Sequence, residues 1–226
     1  MKTMAVIIPV VQPDLFDNLM TCISKNTQLP NKIIVINNSG KPLVVPYHFP
    51  TSPHPVEVMV LDQTHPLGVN ASWRLGLRHA SGYNLISILN DDLLLAYDFF
   101  EKIRKASNQY PKASAYCPNT VKNPKDIMMK FHEHEIECAT MARREGWAFT
   151  IRGELLADIP VIPSALTMFF GDDWIYRWTA QILRRPWIKV KNALAFHYCG
   201  VSVGRDGTNV LLQKEKLIYQ QLISDL

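Results

Sequence analysis

The chain has 226 residues, 47% of them apolar and 19% charged, and a formal net charge of +4. That is enough apolar material to bury a core without disulfide or metal staples. The charge balance suits an anionic ligand and excludes the dense basic tracts of a dedicated nucleic-acid binder.

Met4–Val11 is a β-branched run ending near Pro9 and reads as a buried parallel strand. Asp14 is placed to cap a helix from Leu15 to about Asn26, which Pro30 stops. Lys32–Asn37 is a second buried strand, and Asn38-Ser39-Gly40 a turn. The opening is therefore strand–helix–strand, the unit of a parallel sheet. Residues 41–55 hold five prolines and read as an irregular connection. Val56–Leu61 follows as a strand, Gly68–Ala80 as a helix, and Tyr83–Leu89 as a strand that runs into Asn90-Asp91-Asp92.

Beyond this point the pattern loosens. Asp98–Tyr110 reads as an amphipathic helix capped by Asp98. Ala113–Cys117 and Trp147–Ile151 read as strands on either side of the polar stretch 122–145. Asp172–Leu183 is predicted helical, Trp187–Val190 and Ala193–His197 are two short strands, and Val210–Ser224 is a terminal helix. The sequence shows no repeat and no clean linker, which predicts one α/β domain over 1–226 with a mostly parallel, Rossmann-like sheet flanked by helices. Its halves would be 1–92 and 93–226.

No apolar run reaches the ~18 residues of a membrane helix, so membrane contact is expected to be peripheral. Residues 1–3 are too short for a signal peptide. Cys22, Cys117, Cys138 and Cys199 form no CxxC pair. Together these features predict reduced thiols and a cytoplasmic location. The sequon Asn70-Ala71-Ser72 is then a chance match.

Three places carry candidate chemistry. Asn90-Asp91-Asp92 follows a buried strand, and ligands in open α/β sheets bind beyond the carboxyl ends of strands. Adjacent carboxylates repel unless a cation sits between them or their pKa values shift, and a hard divalent ion fits such a place. The alternative is that Asp91 or Asp92 simply starts a helix. Asp172-Asp173 beside Phe170 and Trp174 reads either as a helix-capping pair or as a general base, its pKa raised by apolar neighbours. His197 is a packed histidine or, near a carboxylate-bound metal, a further ligand. His132-Glu133-His134-Glu135 lacks the HExxH spacing and reads as a solvated segment. The chain contains no GxGxxG, no P-loop and no GxSxG elbow.

The order of these pieces resembles family 2 glycosyltransferases of GT-A fold, over roughly Met4 to Val201. The family's V-D-N-x-S turn corresponds to Ile36-Asn37-Asn38-Ser39. Its glycine-rich approach corresponds to Pro66-Leu67-Gly68-Val69-Asn70-Ala71-Ser72-Trp73-Arg74-Leu75-Gly76-Leu77. Its D-x-D or N-x-D corresponds to Asn90-Asp91-Asp92, its G-x-x-x-x-[IL]-R strand to Gly146–Arg152, its E-D pair to Asp172-Asp173, and its late histidine to His197. The resemblance implies an inverting, divalent-metal-dependent transfer from a nucleoside-diphosphate sugar to an acceptor hydroxyl. It implies that Asn37 and Asn38, with Pro9 beside them, face the base, and that Gly68 and Val69 let the nucleotide approach. Asp92 would hold Mg2+ or Mn2+, with Asn90 and Asp91 contacting the nucleotide or a metal-bound water and His197 completing the site. Asp173 would be the base, and Asp172 would orient the acceptor. The family pattern is broken by Asn37 in place of the base-reading Asp, by Arg74 in place of an Asn, and by Asp-Asp in place of Glu-Asp. An arginine at 74 either donates to the diphosphate or points elsewhere.

A nucleotidyltransferase would share the sheet and the carboxylate–metal chemistry, but Val10-Val11-Gln12-Pro13 lacks the glycine-rich basic loop expected there. A non-catalytic nucleotide-sugar-binding module would not need two acidic pairs, and a purely structural protein would need neither. The acceptor is expected to be a glycan, a lipid-linked sugar, a protein or a hydroxylated base in viral DNA. For DNA, Arg143, Arg144, Arg184, Arg185, Lys189 and Lys191 would contact phosphate.

Overall fold

In a computed structural model of the chain, the residues described are 2–44, 49, 55–128, 136–141, 146–198 and 208–224. Cys199, Arg143, Arg144 and the 132–135 stretch lie outside them. The elements follow in chain order: β1 (Met4–Val10), α1 (Pro13–Ser24), β2 (Lys32–Asn37), β3 (Glu57–Asp62), α2 (Val69–His79), β4 (Leu85–Leu89), β5 (Leu93–Leu95), α3 (Phe99–Gln109), β6 (Ala115–Thr120), α4 (Lys125–Met128), β7 (Cys138–Thr140), β8 (Ala148–Arg152), α5 (Gly171–Tyr176), β9 (Trp187–His197) and α6 (Thr208–Ser224).

One sheet runs in the order β3-β2-β1-β4-β8-β6-β9-β5, with β7 also on β9. The first four strands are parallel. The parallel character then gives way to mixed pairing: β8 lies antiparallel to β4 and β6, β6 runs parallel to β9, and β9 is antiparallel to β5 and β7.

The period of two along β1 sorts the core into two layers. Met4, Val6, Ile8 and Val10 face α1 and α3, where Phe16, Leu19, Phe99 and Ile103 cover them. Ala5 and Ile7 face α2 and α5, against Trp73 and Trp174. Burial on both faces is why these strands read as continuous apolar runs rather than alternating ones. Helix α2 sits close on the sheet because Gly76 has no side chain. A Cβ there would stand 2.3 Å from Ile7 Cγ2.

Several boundaries differ from the sequence expectation. Helix α1 begins two residues earlier than expected, with Pro13 in its first turn and Gln12 at the N-cap. Asp14 lies inside the first turn rather than capping it, where its charge still complements the helix dipole. Asp98 does occupy the N-cap of α3 but makes no capping bond; its carboxylate pairs with Lys102 at 2.8 Å instead. The two short strands expected at 187–190 and 193–197 are one strand, β9. Its ladder with β6 slips between Cys117 and Asn119, at Pro118, which has no N–H to donate. The predicted helix 172–183 is α5 followed by a π-helical segment, Arg177–Ile182. Strands β5 and β7 were not anticipated. Among the described residues, no helix is long and apolar enough to cross a membrane. Cys22, Cys117 and Cys138 are thiols.

Candidate active site

The carboxyl ends of β1 and β4 open into a cavity of about 390 Å³. Pro9 of β1 and Val11 just after it line it, with Asn90 and Asp91 from the segment that follows β4 and Val69 and Trp73 from α2. Asp172 and Asp173 line it from α5, and Thr208 and Leu212 from α6. Asp91 of the first acidic pair and both members of the second therefore line one hollow at the strand ends, where an open α/β sheet binds ligands, while Asp92 and His197 are not among its lining residues.

Asp91 and Asp92 do different work. No helix follows them; β5 begins at once, so the helix-start alternative does not hold for this pair. Asp91 Oδ2 accepts backbone N–H bonds from Val11 at 2.7 Å and Gln12 at 2.8 Å, tying the β1–α1 turn to the end of β4. Burial pushes its carboxyl above the usual range, against the pull of those two bonds.

Asp92 is 5% exposed and stands beside His197, with Oδ1 to Nε2 at 3.1 Å. That contact is at ion-pair distance but off hydrogen-bond geometry, and among the described residues no hydrogen bond reaches this buried oxygen. The two residues meet through strand register. Leu93 on β5 pairs with His197 on β9, and the Tyr198 N–H donates to the Asp92 carbonyl at 3.1 Å. Trp147 stacks on the His197 ring at 5.1 Å, and its carbonyl accepts the Asn90 N–H at 2.9 Å.

A buried carboxylate oxygen with no donor on it, next to an imidazole, fits a divalent cation. Among the described residues, however, no three His, Cys, Asp or Glu side chains converge. Two protein ligands leave the remaining positions to phosphate and water oxygens, the usual partition for Mg2+ and related hard cations at phosphates.

Asp172 and Asp173 occupy the first turn of α5, so they are both helix-start residues and cavity residues. The Asp172 carboxylate crowds Gly146, where a Cβ would come within 2.6 Å of Oδ2. Phe170, just before them, takes a left-handed backbone at φ 63, a strained conformation for a bulky residue that marks a constrained turn.

The other sequence candidates are placed as follows. Asn37 Nδ2 donates to the Lys41 carbonyl at 2.8 Å and Asp62 Oδ1 at 2.7 Å, while its Oδ1 accepts from Ser39. Asn38 accepts from the Leu67 N–H at 2.8 Å and donates to Ser72 Oγ at 3.1 Å. Both amides staple the β2 turn to its neighbours and do not line the cavity. Gly68 is covered by the Thr167 carbonyl, which would lie 2.4 Å from a Cβ; the backbone approaching it is the chain's own. Arg74 is not gathered with the rest. Its Nη1 donates to the carbonyls of Ile162 and Pro163 at 3.3 and 3.2 Å, beside a separate, largely apolar cavity of about 220 Å³. Asn70, of the sequon, is fully buried and donates to the Phe169 carbonyl at 2.8 Å. Of the proposed phosphate contacts, Arg185 pairs with Glu154 and Lys191 with Glu137.

Two residues escaped the sequence reading. Trp147 had a faint signal, as the aromatic opening the strand expected at 147–151. Glu215 had none: it sits on α6, far along the chain, yet is 1% exposed.

Solved structures share this architecture at low identity. GalNAc-T7 with UDP, GalNAc and Mn2+ matches with TM-score 0.65 at 11% identity, over 87% of this chain and 44% of that one. TarS of S. aureus with UDP matches with TM-score 0.60 at 11% identity, over 86% and 60%. The mannosyltransferase PcManGT of Pyrobaculum calidifontis with GDP-Man and Mn2+ matches with TM-score 0.61 at 17% identity, over 95% and 61%. The chain thus spans roughly half to three-fifths of their lengths, and at these identities the likeness speaks to fold alone. A search of curated proteins returns no significant match. The sequence profile of glycosyl transferase family 2 matches residues 5–173, three quarters of the chain, from β1 to the second acidic pair. With the fold, the shared cavity and that match in agreement, the chain belongs to glycosyl transferase family 2.

Proposed function

We propose that the chain transfers a sugar from a nucleoside-diphosphate donor to an acceptor hydroxyl with inversion, in the cavity between the two acidic pairs. The observation that carries this reading is Asp92 beside His197 at 3.1 Å just past the end of β4, next in sequence to Asn90 and Asp91, which line one cavity with Asp172 and Asp173. The UDP, GDP-Man and Mn2+ present in the structural neighbours support the donor class and the metal.

Asp92 and His197 would hold the cation, Mn2+ or Mg2+. When bound, it supplies positive charge opposite the diphosphate as the glycosidic bond breaks. Asp173 takes the proton of the acceptor hydroxyl, whose oxygen attacks the anomeric carbon from the face opposite the diphosphate. The carbon–oxygen bond to the diphosphate breaks and its electron pair leaves with the nucleotide. Asp172 orients the acceptor. Asp91 holds the β1–α1 turn so that Pro9 and Val11 form the nucleotide side of the wall, with Asn90 and Val69 completing it. The sugar moved is a hexose or a pentose. Glycan or lipid-linked acceptors fit better than DNA, because Arg185 and Lys191 already have carboxylate partners.

The test is a panel of nucleotide sugars with Mn2+, Mg2+ or EDTA, scored by thermal shift and released nucleoside diphosphate. One donor should stabilise the protein and be hydrolysed slowly only with metal, and Asp92→Ala should abolish both. If no donor registers with either metal, the transferase reading fails.

A further inference from the structure

We propose that Glu215 is a positioning residue for this site: from α6 it clamps the strap 167–170 that delivers Asp172 and Asp173 to the cavity. Glu215 Oε1 accepts from the Thr167 N–H at 2.9 Å and from Thr167 Oγ1 at 2.5 Å. Oε2 accepts from the Phe169 N–H at 2.9 Å, and the Met168 N–H lies 3.2 Å from both oxygens. Three consecutive backbone donors and a hydroxyl converge on one buried carboxylate. Only a group that accepts at both oxygens satisfies them all.

The strap is gripped from the other side by α2. The Asn70 N–H donates to the Thr167 carbonyl at 3.0 Å, Asn70 Nδ2 donates to the Phe169 carbonyl, and Gly171 lies against Asn70 Oδ1. Helix α6 adds two further contacts. The Tyr219 ring stacks on Phe170 at 5.2 Å, and its hydroxyl donates to the Asp173 carbonyl at 3.3 Å. Phe170 keeps its left-handed backbone between these grips; such a conformation persists only where surrounding contacts over-determine it. Thr208 and Leu212 of the same helix line the cavity. Helix α6 therefore fixes the acidic pair relative to the β4 end, although it lies outside the segment that matches the family profile.

The catalytic part of this inference rests on the transferase reading; the clamp itself does not. The experiment compares the parent with Glu215→Gln, which keeps size and shape but turns a donor toward an N–H of the strap, and with Tyr219→Phe, which keeps the stacked ring. Amide hydrogen exchange reads the clamp. In Glu215→Gln, exchange at 167–169 should quicken by about tenfold to a hundredfold, as expected for losing a charge-assisted bond and leaving a buried donor unmet. Exchange in β1, β2 and β4 should not change. Metal-dependent hydrolysis of the nucleotide sugar, with binding of UDP and GDP plus Mn2+ followed by thermal shift, reads the consequence. Turnover should fall about tenfold or more with nucleotide binding retained, and Tyr219→Phe should show a smaller loss in the same direction. Unchanged exchange at 167–169, exchange that rises throughout the sheet, or quickened strap exchange with full turnover would each overturn the proposal. If the parent itself neither binds nor hydrolyses any nucleotide probe, the transferase reading fails, and the exchange result still decides the clamp.

Discussion

At the end of β2, Asn37 bonds to Ser39, Lys41 and Asp62, Asn38 to Leu67 and Ser72, and across β1 Asp91 bonds to Val11 and Gln12. Each of these polar groups closes on a turn of the β3-β2-β1-β4 half. In the other half the polar groups reach further. Glu215 holds 167–169, Lys102 donates to the Asn192 carbonyl at 2.9 Å, and Arg152 ties β8 to Ser107 at 2.6 Å and to Tyr116 at 2.7 Å. In the first half these turns are fixed by residues of the same four-strand unit. The second is assembled by side chains that bridge separate elements, and it brings the strap and one acidic pair to a rim that the first half already defines. On the proposed function, the donor side should therefore tolerate damage to the acceptor side, but not the reverse.

The strongest way to break that contrast is at the two acidic pairs. Asp173→Asn should cut turnover about 10²–10⁴-fold, the usual contribution of a general base, while the thermal shift given by donor and metal persists. Asp92→Ala should remove both. Loss of donor binding in Asp173→Asn would mean that the halves do not divide the work this way.

The scaffold itself is probed next. Ile7→Ala empties a fully buried position between β1 and α2 and should cost about 2–5 kcal/mol in denaturant unfolding. A milder test is Asn37→Asp. It restores the acid usual at this place in the family, but here the new carboxylate would face Asp62 Oδ1 across 2.7 Å in place of a donor. We expect a loss of about 1–3 kcal/mol near neutral pH, recovered as the pH falls into the carboxylate range and one of the pair protonates. No change in stability would show that the staple is not needed.

The smallest effect is expected at Glu101. The Lys105 ammonium at 2.6 Å holds its carboxyl below the ordinary value of 4.5, with Thr27 assisting. A lowered folded-state pKa gives stability that is present above that value and lost as the pH falls through the folded one. Because the pair is partly exposed, Lys105→Ala should cost only about 0.3–0.5 kcal/mol at neutral pH and nothing once Glu101 is protonated.

The same contrast explains what could be read in advance. Strands β1, β2 and β4 were legible because burial on both faces leaves an unbroken β-branched run, and Asn90-Asp91-Asp92 stood out because it ends one. Asn37 was legible as the end of a strand and Asn38 as the start of a turn, both expected to face the base, but their bonds to Asp62 and Ser72 depend on which strands and helices neighbour β2. Arg74 was read as either a phosphate donor or a residue pointing elsewhere; carbonyls at 162 and 163 hold it in the second state. Strand β9 looked like two strands because Lys191-Asn192 interrupts its apolar pattern. Glu215 was invisible in principle: a glutamate on a terminal helix looks solvated until the strap it serves is folded beneath it.

Asp92 and His197 are joined by a register, not by a local motif. Leu93 opposite His197 on a three-residue strand sets which side of the sheet the imidazole faces, and a slip by one residue would turn it to the opposite side. That pairing links distant parts of the chain and closes a large loop, a slow kind of contact to make during folding. Within the parallel half, β1 with β2 and β2 with β3 pair across much shorter separations and can form before β9 arrives. Ligand-binding competence is therefore expected to lag behind compaction in refolding, appearing only when β9 docks on β5. A one-residue insertion between Asn192 and Phe196 would then leave a compact protein with both proposed ligands intact in sequence and no site.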